Sequence, residues 1–173
     1  MPVLCLASVL LSACAGSGPA AVSAASSLPP PGNPSAAAAG LVLAAYRGMW
    51  SDLVAAARTS DFQSPLLAEH ASGTALSLFV RGLARDQLHG VVTRGEPTIQ
   101  PSVTSLLPSA DPTRATVADC VDDAHWVEYT TSGAKATNPP GGPRATTATL
   151  AESHGVWKVT GITVGKVGSC RPS

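Results

Sequence analysis

Charge and aromatic side chains are scarce in this chain. Only 13% of its 173 residues are charged and 4% are aromatic, and the formal net charge is zero. A nucleic-acid binder needs a basic patch to neutralise phosphates, and none is visible, so no nucleic-acid partner is expected. A polybasic membrane patch is missing too. No apolar run approaches the roughly 20 residues that a membrane-spanning helix requires. No Cys-x-x-Cys occurs, which argues against a zinc knuckle or a thioredoxin-type site. His70, His89, His125 and His154 stand apart, with no His-x-x-x-His and no carboxylate–histidine cluster at ligand spacing, so no metal is expected. No Gly-rich phosphate loop joins a strand to a helix, and no cofactor is indicated.

The most informative stretch that is present is Leu11-Ser12-Ala13-Cys14. It follows a short apolar run from Val3 to Leu11 and leads into a polar, Ala/Ser/Pro-rich segment. Apolar core, small residues and a cleavage point are the parts of a secretory signal. With cysteine next in line, the stretch resembles the lipobox of bacterial lipoproteins. That resemblance implies residues 1–13 as signal peptide, Cys14 as the lipidated first mature residue, and a location on the outer face of a bacterial cell membrane. No Lys or Arg lies between Met1 and Cys14, which points to a translation start further upstream. One acyl chain anchors only marginally, whereas two hold stably at about 0.8 kcal/mol per buried CH₂; a diacylglyceryl cysteine meets that need.

Residues 14–34 are nearly all Ala, Gly, Ser and Pro. Such a segment buries too little apolar surface to offset ordering entropy, and a disordered tether is expected. One domain over 35–171 remains. With Cys5 in the signal and Cys14 lipidated, Cys120 and Cys170 are left. In an exported domain they suggest one disulfide, the alternative being two buried thiols.

Within the domain, Val42, Tyr46, Met49, Trp50, Leu53 and Ala57 recur at steps of three and four and predict a helix over 35–59. Ser64-Pro65 reads as an N-cap and first helical position for a short helix over 65–71. Leu76, Phe79, Val80 and Leu83 stripe a third helix over 73–89, ended by Gly90 at C′. Short β segments follow: 91–94, 98–107 with Pro101 marking an edge or bulge, 114–120 and 125–130 as one bent strand broken at Asp122-Asp123, and a hairpin from 145–152 and 156–167. Helices first and strands afterwards is an α+β pattern, with helices packed on one face of an antiparallel sheet.

That order resembles the cone-shaped nuclear transport factor two-like superfamily, which includes ketosteroid isomerase-like and polyketide cyclase-like proteins. Asp111-Pro112-Thr113-Arg114-Ala115-Thr116-Val117-Ala118-Asp119-Cys120, Gly155-Val156-Trp157-Lys158-Val159 and Tyr46-Arg47-Gly48-Met49-Trp50 are similar to segments of small actinobacterial secreted lipoproteins. The resemblance implies three helices on a curved sheet, with a pocket between the first helix and the concave face.

Asp119, Asp122, Asp123, His125 and Glu128 form the densest titratable set. Strand side chains two apart share a face about 6.6 Å apart, so Asp123 could orient His125 as an acid/base dyad. Glu128 falls in phase with Trp126 on the opposite face. Tyr46, Trp50, Trp126 and Trp157 are candidates for pocket lining, set against plain core packing. Ser132-Gly133-Ala134-Lys135 matches a Ser-x-x-Lys nucleophile motif, but it lies in a Gly/Pro-rich loop without its partner elements and is set aside. The expectation is a membrane-tethered, non-catalytic module binding a small apolar ligand or an envelope protein. The alternative is an isomerase- or dehydratase-like enzyme using Asp123, His125 or Glu128.

Overall fold

The computed structural model describes residues 34–172. The expected signal segment, Cys5, the lipid site Cys14 and nearly all of the expected tether lie outside the described residues. The domain has three helices: α1 (Pro34–Ala57), α2 (Leu67–His70) and α3 (Gly73–Leu88). Six strands follow: β1 (Val91–Arg94), β2 (Ser102–Leu107), β3 (Arg114–Asp122), β4 (Val127–Thr130), β5 (Pro143–Ser153) and β6 (Val156–Val164).

In α1 the residues at steps of three and four are the buried ones: Val42, Tyr46, Met49, Trp50, Leu53 and Ala57. The helix stops at Ala57 rather than Thr59. Ser60 takes a left-handed conformation (φ 52°), and Asp61 N–H closes back on the Ala56 carbonyl at 2.9 Å, a C-terminal cap geometry. The second helix is shorter than expected. Leu67, Ala68 and Glu69 donate to the carbonyls of Ser64, Pro65 and Leu66, so this stretch opens as tight i→i+3 turns. Leu66 rather than Ser64 occupies the N-cap, without a side-chain bond. At the end of α3, Gly90 has φ +64°, as its C′ assignment requires.

The strands form two sheets where a single curved one was expected. β2, β3, β5 and β6 make an antiparallel sheet in the order β2-β3-β5-β6, and β1 pairs with β4 in a separate two-stranded ribbon. The expected break at Asp122-Asp123 is where they part. β3 ends at Asp122, a turn follows in which Trp126 N–H meets the Asp123 carbonyl at 3.0 Å, and the chain runs on to pair Val127–Thr130 against Val91–Arg94. An isolated bridge between Thr98 and Asp122 links the segments. β2, just after Pro101, lies at the sheet edge and carries a register irregularity between Val103 and Ser105.

β3 alternates strictly, with Ala115, Val117, Asp119 and Val121 buried. Thr146, Ala148 and Leu150 of β5 and Trp157 and Val159 of β6 bury the same face. α1 and α3 lie against β6 and the ribbon strand β1, and α1 also meets β2 and β3. One apolar cluster joins these helices and the sheet. Cys120 and Cys170 are disulfide-bonded, which ties the C-terminal tail to β3. That tail also bonds along β5: Gly165 N–H to Ala145 O at 2.8 Å, and Gly168 N–H to Pro143 O at 2.7 Å.

Candidate functional site

Trp126 is the residue around which the site is built. It ends the turn between β3 and β4, and its ring meets Trp50 of α1 edge-to-face, with centroids 5.9 Å apart at 83°. Trp50 meets Tyr46 in the same way, at 6.5 Å and 75°. Offset or edge-on contacts of this kind suit the quadrupoles of the rings. The indole N–H groups of Trp50 and Trp126 are both buried and donate no hydrogen bond among the described residues.

A cavity of about 600 Å³ opens beside Trp126, walled by α3, the last turns of α1 and the β1/β4 ribbon. Leu53, Ala57, Phe79 and Leu83 give it an apolar end; Arg81 and Thr93 also line it. On the other side of Trp126 lies a more polar lobe of about 850 Å³, bordered by Lys135, Asn138, Pro139 and Pro140 of the loop before β5. Arg85, Asp86, Asp123, Trp126 and Glu128 line both lobes.

Each carboxylate facing this space is engaged by the protein. Asp123 Oδ1 accepts from Gly142 N–H at 2.7 Å and Oδ2 from Arg144 Nε at 2.8 Å. Asp86 Oδ1 accepts from Arg85 at 3.1 and 3.3 Å. Glu128 Oε2 accepts from the Asn138 amide.

The expected pairing of Asp123 with His125 is therefore corrected. Residues 123–126 form a turn, so the two-residue spacing of a strand does not apply there. Asp123 is turned to Arg144, while His125 is exposed and outside the lining of either lobe. Glu128 and Trp126 line the same two lobes, although Trp126 precedes β4 and the strand alternation does not reach it.

Of the four aromatic candidates, Trp126 lines both lobes. Trp50 borders a separate groove with Arg47 and Arg58 on the outer side of α1. Tyr46 and Trp157 are packing residues, at 0% and 5% exposure. Among the described residues no group of three or more His, Cys, Asp or Glu is placed to hold a metal ion.

Two polar pairs were missed. Tyr46 Oη donates to Asp119 Oδ2 at 3.0 Å inside the core, and Gln100 N–H donates to Oδ1 at 2.7 Å. Burial drives the Tyr46 phenol far above its usual range. The neighbouring Trp50 N–H opposes this without an aligned hydrogen bond, and the Asp119 carboxylate adds to it. The signal for Asp119 was its place in the alternation with Val117 and Val121. The second pair joins Asp52 of α1 to His70 of α2, Oδ2 to Nδ1 at 2.7 Å. Gly48 makes room for that ring: a Cβ there would stand 2.6 Å from it. The pair spans two helices, and no local motif announces it.

No protein-family model matches this chain, and no curated protein matches it. Among solved structures it is similar to the crystal structure of the intermembrane space region of chloroplast protein ARC6. The likeness has 20% identity and a TM-score of 0.53, covering 73% of this chain and 95% of that one. The likeness is one of fold. The three helices and antiparallel strands of the chain itself bear out the mixed helix-plus-antiparallel-sheet reading.

Proposed function

We propose that this protein is a lipid-anchored, extracytoplasmic binding module whose cavity beside Trp126 takes an apolar ligand. The carrying observation is the cavity itself, whose size falls within the roughly 300–1,000 Å³ of small-molecule sites. Its lining divides about evenly between apolar side chains and the charged or polar Arg81, Arg85, Asp86, Thr93, Asp123 and Glu128. Asp123, with both carboxylate oxygens engaged, and the exposed His125 do not form an acid/base pair, which favours the binding reading over a dyad of those two residues.

The location rests on the Leu11-Ser12-Ala13-Cys14 stretch. The disulfide supports it, since disulfides persist in oxidising compartments. In this reading the fold is a variant of the cone-shaped nuclear transport factor two-like arrangement. The ribbon β1/β4 and α3 close the pocket side.

A neutral apolar fluorophore, N-phenyl-1-naphthylamine, tests the site. Saturable binding that is lost when Gly82, which lines the cavity with open space before it, is replaced by Leu at unchanged Tm supports the reading; no saturable binding to the wild-type chain contradicts it. Intact-mass measurement of the native protein, with and without globomycin, tests the anchor: a diacylglyceryl mass on Cys14 supports it, and an unmodified Cys14 contradicts it.

A further inference from the structure

We infer that the cavity beside Trp126 is selective for a single-chain amphiphile with an anionic headgroup, its tail in the apolar end and its head on Arg81. This rests on the binding reading above and names the class of ligand for that same site. The charge pattern of the lining carries it. Asp86, Asp123 and Glu128 each receive a hydrogen bond from a protein donor. Within this cavity Arg85 contacts Asp86; in the second lobe Arg144 contacts Asp123 and Lys135 meets no carboxylate among the described residues. Arg81 is the cation of the cavity that meets no carboxylate among the described residues. A carboxylate or phosphate oxygen satisfies a guanidinium with paired, charge-assisted hydrogen bonds.

The placement of Arg81 suits a mouth. It is exposed, and Leu78, three residues before it on the same side of α3, is exposed as well and lines the same cavity. Buried Phe79 and Leu83 lead inward from there towards Leu53 and Ala57. Guanidinium at the rim and hydrocarbon walls within match one molecule that is charged at one end and apolar along its length.

Gly82 supplies the room. It lies between Arg81 and Leu83, lines the cavity, and a Cβ built on it meets nothing within 4 Å. A larger side chain at this position therefore grows into the cavity. The backbone there is ordinary helix, which glycine weakens and leucine favours, so a blocking substitution does not have to disturb the fold.

The test uses the full chain and three probes: cis-parinaric acid, its methyl ester, and N-phenyl-1-naphthylamine. Binding is followed by fluorescence, and folding by circular dichroism and Tm. The acid is expected to bind at least tenfold more tightly than the ester. Arg81→Gln is expected to weaken the acid about tenfold and to leave the ester and the naphthylamine within twofold. Gly82→Leu and Gly82→Trp are expected to keep or raise Tm and to weaken all three probes at least tenfold; should the tryptophan variant misfold, the leucine variant carries the result. Equal affinity for acid and ester with saturable naphthylamine binding overturns the headgroup inference and leaves the binding reading standing. An Arg81→Gln variant that holds the acid as tightly as the wild type overturns it too. Failure of all three probes to saturate overturns both.

Discussion

Removing one oxygen atom, in Tyr46→Phe, tests how the core holds a buried acid. Tyr46 is fully buried and its hydroxyl donates to Asp119 Oδ2, while Gln100 N–H holds the other carboxylate oxygen. Hydrogen bonds to charged groups contribute about 1.5–3 kcal/mol. The void left by a single oxygen adds little, so the variant is expected to lose about 2–3 kcal/mol at pH 7. A second effect appears in alkali. Burial first, and the Asp119 carboxylate with it, keep the folded phenol protonated well above its usual range. The unfolded chain releases that proton near pH 10. Above pH 10 the native state therefore holds one proton more than the unfolded state, and wild-type stability falls by about 1.4 kcal/mol per pH unit through this group. Below pH 10 its contribution is fully present. Phenylalanine cannot titrate, so the gap between the proteins is expected to shrink to about 1 kcal/mol near pH 11. Urea unfolding followed by circular dichroism at pH 7, 9, 10 and 11 measures it. A gap that stays constant from pH 7 to 11, or no loss at pH 7, refutes the reasoning.

Replacing Cys120 and Cys170 by Ala together reopens a loop with a sequence separation of 50. In the chain-entropy model this costs about 4 kcal/mol, expected in calorimetry as a Tm lower by about 10–15 °C; an unchanged Tm speaks against it. Gly48→Ala pushes a Cβ into the His70 ring and is expected to destabilise by about 1 kcal/mol despite the gain in helix propensity. In a His70→Ala background the same substitution is expected to stabilise by a similar amount, and chemical unfolding of both pairs decides. Arg144→Met and Asp123→Asn, singly and together, are expected to show a coupling of about 1 kcal/mol in a double-mutant cycle, because both side chains are mostly buried. Additive losses would mean that the ion pair does not couple the turn after β3 to β5.

Helix positions were legible where the apolar spacing is regular. α1 and α3 appear within two residues of their expected spans, and Gly90 ends α3 as a left-handed residue. β1 was expected at 91–94 and found there, and the β5–β6 hairpin turns at the expected Ser153-His154-Gly155. The division into two sheets was not legible. Asp122-Asp123 marks a break, but which strand β4 pairs with depends on α3 delivering β1 alongside it, a contact remote in sequence. The same turn removed the strand periodicity on which the Asp123/His125 pairing relied. Asp119 carried its own signal, since its register with Val117 and Val121 places it on the buried face. The half-buried acids that follow it in sequence, Asp122, Asp123 and Glu128, do not share that register. Nothing local could reveal Asp52 and His70, which meet only because α2 folds back on α1.

The central claim is that the space beside Trp126 is a ligand site. Nuclear magnetic resonance of the ¹⁵N-labelled chain during titration with N-phenyl-1-naphthylamine addresses it most directly, by following the indole N–H signals of Trp126 and Trp157. A saturable displacement of the Trp126 signal is expected, together with amides of Phe79, Gly82 and Leu83, while Trp157 in the sheet core stays in place. A Trp126 signal that does not move while the probe binds elsewhere would contradict the account.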